Sequence, residues 1–258
     1  MRLALVGASG RMGRAIARLA HGAGIEIVCA IGATDVGRDV GDLAGVGPTG
    51  TSVVDGLAAL EHARADVVVD FSAPTVTLAL APIAVAAKSA IVSGTTGLTA
   101  EGRGALARAA EHVPVLWEPN MSLGVHVLAQ LVAQAAAALA DWDIEVVETH
   151  HRAKVDAPSG TALRLVEAAQ RARATRPRLV HGRQGVPGAR GVDEIGMHAI
   201  RGGDVIGDHT VHLFGGGERV ELTHRATSRD VFAHGALRAA RWLAGKAAGT
   251  YSLADVLA

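Results

Sequence analysis

Residues 3–13 read LALVGASGRMG. Leu3 to Val6 is a short apolar run of β type. Gly7-Ala8-Ser9-Gly10-Arg11-Met12-Gly13 follows, and then an amphipathic helix over Arg14 to His21. Strand, glycine turn and helix in that order are the context a dinucleotide-binding turn requires. Gly7 permits the tight turn, Gly10 lets a pyrophosphate approach the backbone, and Gly13 allows close helix-to-strand packing. The spacing is GxxGxxG, a variant of GxGxxG. An ordinary tight βα turn is the alternative.

Further along, Ile25 to Ile31 is a second strand, which runs into Gly32-Ala33-Thr34-Asp35 with Arg38 beyond. An acidic residue at that point serves the ribose hydroxyls of NAD, and a nearby Arg serves the 2′-phosphate of NADP. Asp35 sits a little late, so Gly32, Ala33, Asp35 and Arg38 all stay open as ribose contacts. Arg11, in the first turn, can pair with a 2′-phosphate, which tips a dual NADPH or NADH reading toward NADPH. Gly37 to Gly56 reads as a loop plus a short strand. Ala65 to Phe71 is a buried strand, with a helix starting near Pro74-Thr75. Ser89 to Ser93 is another, ending in Gly94-Thr95-Thr96-Gly97. Glu101 to Ala110 is helical, and Val113 to Trp117 is a strand ending in Glu118-Pro119-Asn120-Met121-Ser122. This alternation predicts an α/β fold, a parallel sheet with helices on both faces. Ligands of such sheets bind at the carboxyl ends of the strands, where Phe71-Ser72, Gly94-Thr95-Thr96 and Asn120 all fall.

After a long helix, Gly124 to Ala140, the pattern changes. Ile144 to Thr149, Met197 to Arg201, His209 to Phe214 and Glu218 to Thr223 read as strands with few helices between them. That predicts an open mixed or antiparallel sheet in a second, α+β domain. Arg176 to Asp193, rich in Arg, Gly and Pro, reads as a mobile loop. Phe232 to Leu243 returns to helix and is expected to pack on the first domain. The expected division is residues 1–121 with 231–258 for dinucleotide binding, and residues 122–230 for substrate.

Glu148 to Ala162 reads ETHHRAKVDAPSGTA, a polar cluster on a strand-to-helix loop. Ser159 or Thr161 can cap the helix, Ala162 to Ala174, and Gly160 lets its start come close to a ligand. Free N–H groups and the positive dipole end make such a turn an anion site. With His150, His151, Arg152 and Lys154 beside it, the loop suits a small substrate carrying carboxylates. A histidine can also exchange a proton near neutral pH. Lysine occurs only at positions 88, 154 and 246. A Lys in this loop can donate a proton where Arg cannot. The bland alternative is a solvated basic loop with a capped helix. His21, His62 and His112 read as surface residues near helix ends. His209 and His212 fall on opposite faces of one strand and are not expected to act together.

Composition narrows the classes. The chain has 258 residues, 49% hydrophobic and 19% charged, so a sizeable core is within reach. Its 25 basic and 25 acidic residues cancel, which argues against nucleic acid or a membrane surface as partner. No apolar run approaches the ~18 residues of a membrane span, and the N-terminus reads as a strand rather than a signal peptide. The single cysteine, Cys29, lies in an apolar strand and cannot form an intrachain disulfide. A cytoplasmic location fits. No His/Asp/Glu spacing calls for a metal.

The sequence resembles the 4-hydroxy-tetrahydrodipicolinate reductase (dihydrodipicolinate reductase) family of lysine and diaminopimelate synthesis over nearly its whole length. GASGRMGR is similar to the family's cofactor turn. VVVDFSAP and VSGTTG are similar to its next two nucleotide-contacting strand ends, and EPNMSLGV to its hinge segment. HHRAKVDAPSGTA is close to the family signature. IRGGDVIGDHTV, GERVELTHRATSR and FAHGALRAARWL also match.

The resemblance implies a Rossmann-type domain and a homotetramer built through the second domain's sheet. Gly7, Ala8, Ser9, Gly10, Arg11, Met12, Gly94, Thr95, Thr96, Glu118, Pro119, Asn120 and Met121 would contact NADPH or NADH. His150 matches the proton donor, Lys154 the second catalytic residue, and His151, Gly160 and Thr161 the contacts to a dicarboxylate ring. In such a reaction the ring hydroxyl leaves as water, a hydride adds to the conjugated ring carbon, and protonation follows. Gly32 and Ala33 stand where many members carry an acidic residue and then Arg. Two other readings stay open: a related reductase of another small carboxylated imine or carbonyl, and a non-catalytic dinucleotide sensor.

Overall fold

In the computed structural model, which describes residues 1–258, β1 (Arg2–Val6) is buried from Leu3 onward and lies inside a seven-stranded sheet. The other elements of its unit are α1 (Arg11–Gly22), β2 (Glu26–Ile31), α2 (Val40–Ala44), β3 (Val53–Val54), α3 (Leu60–Ala63), β4 (Val67–Asp70), α4 (Pro74–Ala86), β5 (Ala90–Ser93), α5 (Ala100–Ala109) and β6 (Pro114–Trp117). The second unit holds α6 (Leu123–Ala138), β7 (Asp143–His150), α7 (Gly160–Ala172), β8 (Arg178–His181), β9 (Glu194–Arg201), β10 (Gly207–Phe214) and β11 (Arg219–Ala226). The chain then returns to the first unit with α8 (Asp230–Leu243), β12 (Gly249–Tyr251) and α9 (Leu253–Leu257). The units comprise Met1–Ser122 with Asp230–Ala258, and Leu123–Arg229.

In the first unit the strand order is β12-β6-β5-β4-β1-β2-β3, with every neighbouring pair parallel. The chain builds outward from β1 in both directions, which makes the carboxyl ends of β1 and β4 a topological switch point. Open α/β sheets bind ligands in that crevice. The strands are near-continuous runs of Val, Ile, Leu and Ala because both faces are covered. Helix α1 buries Gly13, Ile16, Ala17 and Ala20, one stripe at helical spacing.

Three local features differ from the sequence expectation. Helix α1 starts at Arg11, not Arg14, because extended Gly10 serves as N-cap and Gly13 lies inside the first turn. A short helix, α2, interrupts the Gly37–Gly56 stretch. Asp39 nucleates it by accepting the N–H groups of Gly41 at 2.7 Å and Asp42 at 3.3 Å. The sheet also gains an edge strand, β12, whose three residues carry too short a pattern to read.

The second unit is a five-stranded mixed sheet, order β11-β10-β7-β9-β8. Strand β10 is antiparallel to β7 and β11, while β9 is parallel to β7 and β8. Leu128, Val132 and Ala136 of α6 and Leu165, Val166 and Ala169 of α7 pack with Ile144, Val146, Ile195, Met197, Val211 and Leu213 of the sheet. Each large apolar side chain so buried is worth roughly 1.5–3 kcal/mol.

Strand β8 corrects the reading of Arg176–Asp193 as one loop. The rest of that segment is tied down by ion pairs. Arg183 meets Glu145 at 2.9 Å and Glu194 at 2.7 Å, and Arg190 meets Asp143 at 2.6 Å and Glu145 at 3.1 Å. Loop composition alone does not reveal such pairings, since the acidic partners lie on β7 and β9.

Candidate active site

The first-unit residues singled out from sequence gather at strand ends. Gly7 has φ +83°, and a Cβ on it would collide with the Phe71 carbonyl oxygen just past β4. A Cβ on Gly94, past β5, would collide with the Phe71 ring, and one on Gly13 with the Gly7 carbonyl. So Phe71 links the first glycine turn to the Gly94-Thr95-Thr96 turn; Gly7 and Gly13 are required by close approach of main chain, while Gly94 packs against a ring. Gly10 differs, since its Cβ would meet only the Gly7 oxygen at 3.2 Å. No side chain caps α1. The N–H groups of Arg11, Met12 and Gly13 therefore sit in a first turn that has no acceptors inside the helix, a cradle for a diphosphate.

Asp70, fully buried, organises the next two turns. Its carboxylate accepts the Ser72 N–H at 3.1 Å and the hydroxyls of Thr77 at 2.6 Å, Ser93 at 2.8 Å and Thr95 at 3.0 Å. The Ser72 hydroxyl also donates to it. Thr95 is buried, with its carbonyl bonded to Trp117 Nε1 at 2.9 Å, and Thr96 is exposed. Past β6, Glu118 and Met121 are buried, Pro119 is exposed and Asn120 is half-buried. Gly235 of α8 lies against the Met121 carbonyl, so what this turn offers a ligand is mainly main chain, Pro119 and Asn120.

At the end of β2, Asp35 (φ +58°) pairs with Arg14 at 3.0 Å and Arg38 at 2.9 Å. Ser9 Oγ donates to the Thr34 carbonyl, and Gly32 packs on Ser9. Exposed Arg11 stands at the start of α1.

In the second unit, β7 ends at His150 and α7 starts at Gly160. Glu148 and His150 point to the same, buried side of β7. Glu148 has no exposed surface, and its two oxygens take four bonds. Oε1 accepts the Ser159 N–H at 3.1 Å and Arg201 Nη2 at 2.8 Å, while Oε2 accepts Arg201 Nη1 at 2.8 Å and meets His150 Nδ1 at 2.6 Å. Burial raises the Glu148 pKa, but the Arg201 fork, His150 and the Ser159 N–H outweigh it, and the net shift is down. His150 shifts down as well. Burial drives that shift, Glu148 opposes it, and Lys154 and Arg201 add to it.

Arg201 also donates to the Asp156 carbonyl at 2.7 Å, and Gly202 N–H to the His150 carbonyl at 3.0 Å, so β9's end clamps the loop. Lys154 Nζ lies 2.8 and 2.9 Å from the two Asp156 oxygens. Its bond lowers the Asp156 pKa. His151 is half-buried, Gly160 exposed and Thr161 half-buried. Ser159, not Thr161, is the N-cap of α7, accepting the Ala162 N–H at 3.2 Å. Ser159 Oγ also lies 3.1 Å from Nε2 of buried His209, whose ring stands edge-on to His150 with centroids 5.2 Å apart. Burial, with the neighbouring His150, pushes His209 down to about 4, so it is neutral at pH 7.

The loop thus sets a carboxylate-bound histidine, an ammonium and a helix N-terminus within twelve residues. The family profile "Dihydrodipicolinate reductase, N-terminus" matches residues 1–121, and "Dihydrodipicolinate reductase, C-terminus" matches residues 124–257. The chain belongs to the dihydrodipicolinate reductase family. A 4-hydroxy-tetrahydrodipicolinate reductase of Myxococcus xanthus is 48% identical over 264 residues, covering 100% of this chain and 97% of that one. One from Archaeoglobus fulgidus is 45% identical with 100% of both covered. Among solved structures, a dipicolinate-bound dihydrodipicolinate reductase from Paenisporosarcina sp. TG-14 superposes with TM-score 0.79 at 25% identity, covering 98% of this chain and 97% of that one. A DAP dehydrogenase of C. glutamicum, 16% identical with TM-score 0.58 and covering 100% of this chain and 95% of that one, shares the fold. The family's C-terminal profile spans α8, β12 and α9, which here fold into the first unit.

Sequence reading of this family member missed four residues: Asp70, Glu148, Arg201 and His209. Asp70 falls inside a stretch read as strand and Glu148 opens the polar stretch, and no local pattern marks either carboxylate. Arg201 and His209 lie about fifty residues from the loop, and only the pairing of β7 with β9 and β10 brings them to it. The registers His209 with Glu148 and Arg201 with His150 are the signal, and they need the sheet topology.

No three His, Cys, Asp or Glu side chains are placed to hold a metal ion, and no helix is long and apolar enough to cross a membrane.

Proposed function

We propose that these residues divide the work of the family's reaction, NAD(P)H-dependent reduction of 4-hydroxy-tetrahydrodipicolinate to tetrahydrodipicolinate with loss of water, in lysine and diaminopimelate synthesis. The observation that carries the reading is loop 150–161. It carries His150, Lys154 and the α7 N-terminus on one strand-to-helix connection. His151, Gly160 and Thr161 take the substrate carboxylates, with the α7 dipole favouring the negative charge. His150 donates the proton that completes reduction. Lys154 is the second catalytic residue. Asp156 holds its ammonium within the loop until a substrate carboxylate competes for it.

The cofactor's residues are the turn Gly7, Ala8, Ser9, Gly10, Arg11 and Met12, then Gly94, Thr95 and Thr96, then Glu118, Pro119, Asn120 and Met121. The uncapped α1 N-terminus suits the diphosphate. When bound, the reduced nicotinamide supplies the hydride. NADPH is the preferred form, because Arg14 and Arg38 both meet Asp35 past the end of β2 and exposed Arg11 stands at the start of α1. The enzyme works in the cytoplasm as a homotetramer joined through the β8–β11 sheet.

The test is oxidation of NADPH and then NADH, followed by absorbance, with substrate generated in place by a coupled dihydrodipicolinate synthase. Rapid substrate-dependent oxidation is expected, faster at low NADPH than at equal NADH. Cofactor binding with no turnover would instead favour the dinucleotide sensor. Turnover of another cyclic imine alone would favour the related reductase.

A further inference from the structure

We infer that Glu148 is the positioning residue of the reaction: its carboxylate keeps a proton on His150 Nδ1, so that His150 Nε2 is the atom that delivers the proton to the ring. This rests on His150 being the proton donor.

The argument starts from the 2.6 Å separation of Glu148 Oε2 and His150 Nδ1. Glu148 is an acceptor only, because Arg201 binds both of its oxygens and the Ser159 N–H adds a third donor. Nδ1 must therefore carry the hydrogen. A neutral His150 then has a bare Nε2, and the proton-loaded form is the imidazolium. In the transfer, the Nε2–H bond breaks and its electron pair stays on Nε2. The proton bonds to the ring carbon beside the one that received the hydride. His150 is left neutral with its Nδ1–H still on Glu148, and Glu148 stays ionised throughout. The positive charge is thus made and lost beside a fixed anion, at no cost in reorganisation.

The same carboxylate ties this donor to the substrate cradle. Its Ser159 bond fixes the residue that caps α7, and Arg201 carries the clamp on to the Asp156 carbonyl. One fully buried side chain therefore sets both the proton donor and the helix N-terminus that faces the substrate carboxylates. The charged and titratable groups around His150 are Glu148 from β7, Arg201 from β9, His209 from β10, and Lys154 from the loop. Of these only Glu148 favours the imidazolium.

Glu148→Gln keeps the shape and reverses the hydrogen bond. The amide oxygen, at the Oε1 position, can still accept from Ser159 and from Arg201 Nη2, while Arg201 Nη1 loses its acceptor. The amide NH2 would donate to Nδ1, forcing the proton of a neutral ring to Nε2 and disfavouring the imidazolium. The expected result is a loss of about 100-fold or more in kcat. The falling limb of the kcat–pH profile should move to lower pH, and NADPH affinity should not change. A purely structural Glu148 would lower the melting temperature and leave that limb where it is, which would overturn the inference. Should the variant not fold, nitrogen-15 NMR of the native histidines reads the tautomer directly, with the His150→Ala spectrum identifying the ring. A neutral His150 protonated on Nδ1 supports the inference, and one protonated on Nε2 refutes it. His150→Ala also separates the two levels of the argument. If it turns over normally, the proton-donor reading itself fails. If it is crippled while Glu148→Gln keeps native rate and pH profile, only the positioning role fails.

Discussion

Gly7 and Phe71 meet main chain to main chain where β1 and β4 end. Gly7 stands at φ +83° with no room for a Cβ before the Phe71 carbonyl oxygen. The same Phe71 presses its ring against Gly94. The switch point is therefore shaped by one residue in contact with two glycine turns. Gly7→Ala faces both a left-handed backbone and a backbone clash, which cannot relax by turning a side chain. It should cost about 1–3 kcal/mol of stability. Gly94→Ala meets a ring that can turn, and should cost less. Urea unfolding of the two variants checks the order, and equal stability of Gly7→Ala and native protein would contradict it.

Gly10 answers a different question. Its Cβ position meets only the Gly7 oxygen, at 3.2 Å, a tight contact that a small shift of the turn relieves, unlike the overlaps at Gly7 and Gly13. A bulkier side chain would stand over the uncapped α1 N–H groups. Gly10→Val should weaken NADPH binding by about tenfold or more, while stability falls by about 1–2 kcal/mol, the scale of an unfavourable N-cap. Fluorescence titration beside thermal melting measures both. Native affinity in a folded Gly10→Val protein would remove the diphosphate from this turn.

These two glycines also show what the sequence could and could not reveal. The glycine turn, the strand alternation and the HHRAKVDAPSGT loop are local patterns, and local patterns survive in one dimension. The parallel sheet and the switch from one domain type to the other were legible for that reason. The start of α1 was misplaced by three residues because a glycine N-cap carries no side-chain signal. Strand β8 was hidden in a segment of loop composition because its partner, β9, begins thirteen residues after it ends. Glu148, Arg201 and His209 escape because their meaning is a register between strands, and Asp70 because its five donors sit on four residues spread from the end of β4 to the turn after β5.

His150→Ala and Lys154→Ala should each lower kcat by about 100-fold or more, the usual scale for groups that move protons. NADPH affinity should hold in both, because neither residue belongs to the cofactor turns. Asp156→Asn tests the pairing with Lys154, which lies 2.8 Å away. Freed of its carboxylate partner, the ammonium should bind the dicarboxylate substrate somewhat more tightly, seen as a lower KM with kcat changed little. Steady-state kinetics of the three variants decides. Normal turnover by both alanine variants would take the chemistry out of this loop.

Acid stability of the second unit should depend on Glu145. Burial works to raise the pKa of this carboxyl. The bonds from Arg183, His198 and Arg190 outweigh that and hold it at about 2, well below an unfolded glutamate's ordinary value. A depressed folded-state pKa means that the unfolded chain binds the proton first as pH falls. The stabilisation is therefore complete above about pH 4.5, declines as pH drops, and is gone near pH 2. A shift of this size corresponds to roughly 3 kcal/mol. Glu145→Gln should lower stability at neutral pH by up to that order, because Arg183 and Arg190 each lose one carboxylate partner and keep Glu194 and Asp143. It should also flatten the pH dependence in that window. Urea unfolding at several pH values between 2 and 7, on native and variant protein, measures both effects. Parallel curves for the two proteins through the acid window would show that another carboxylate governs it.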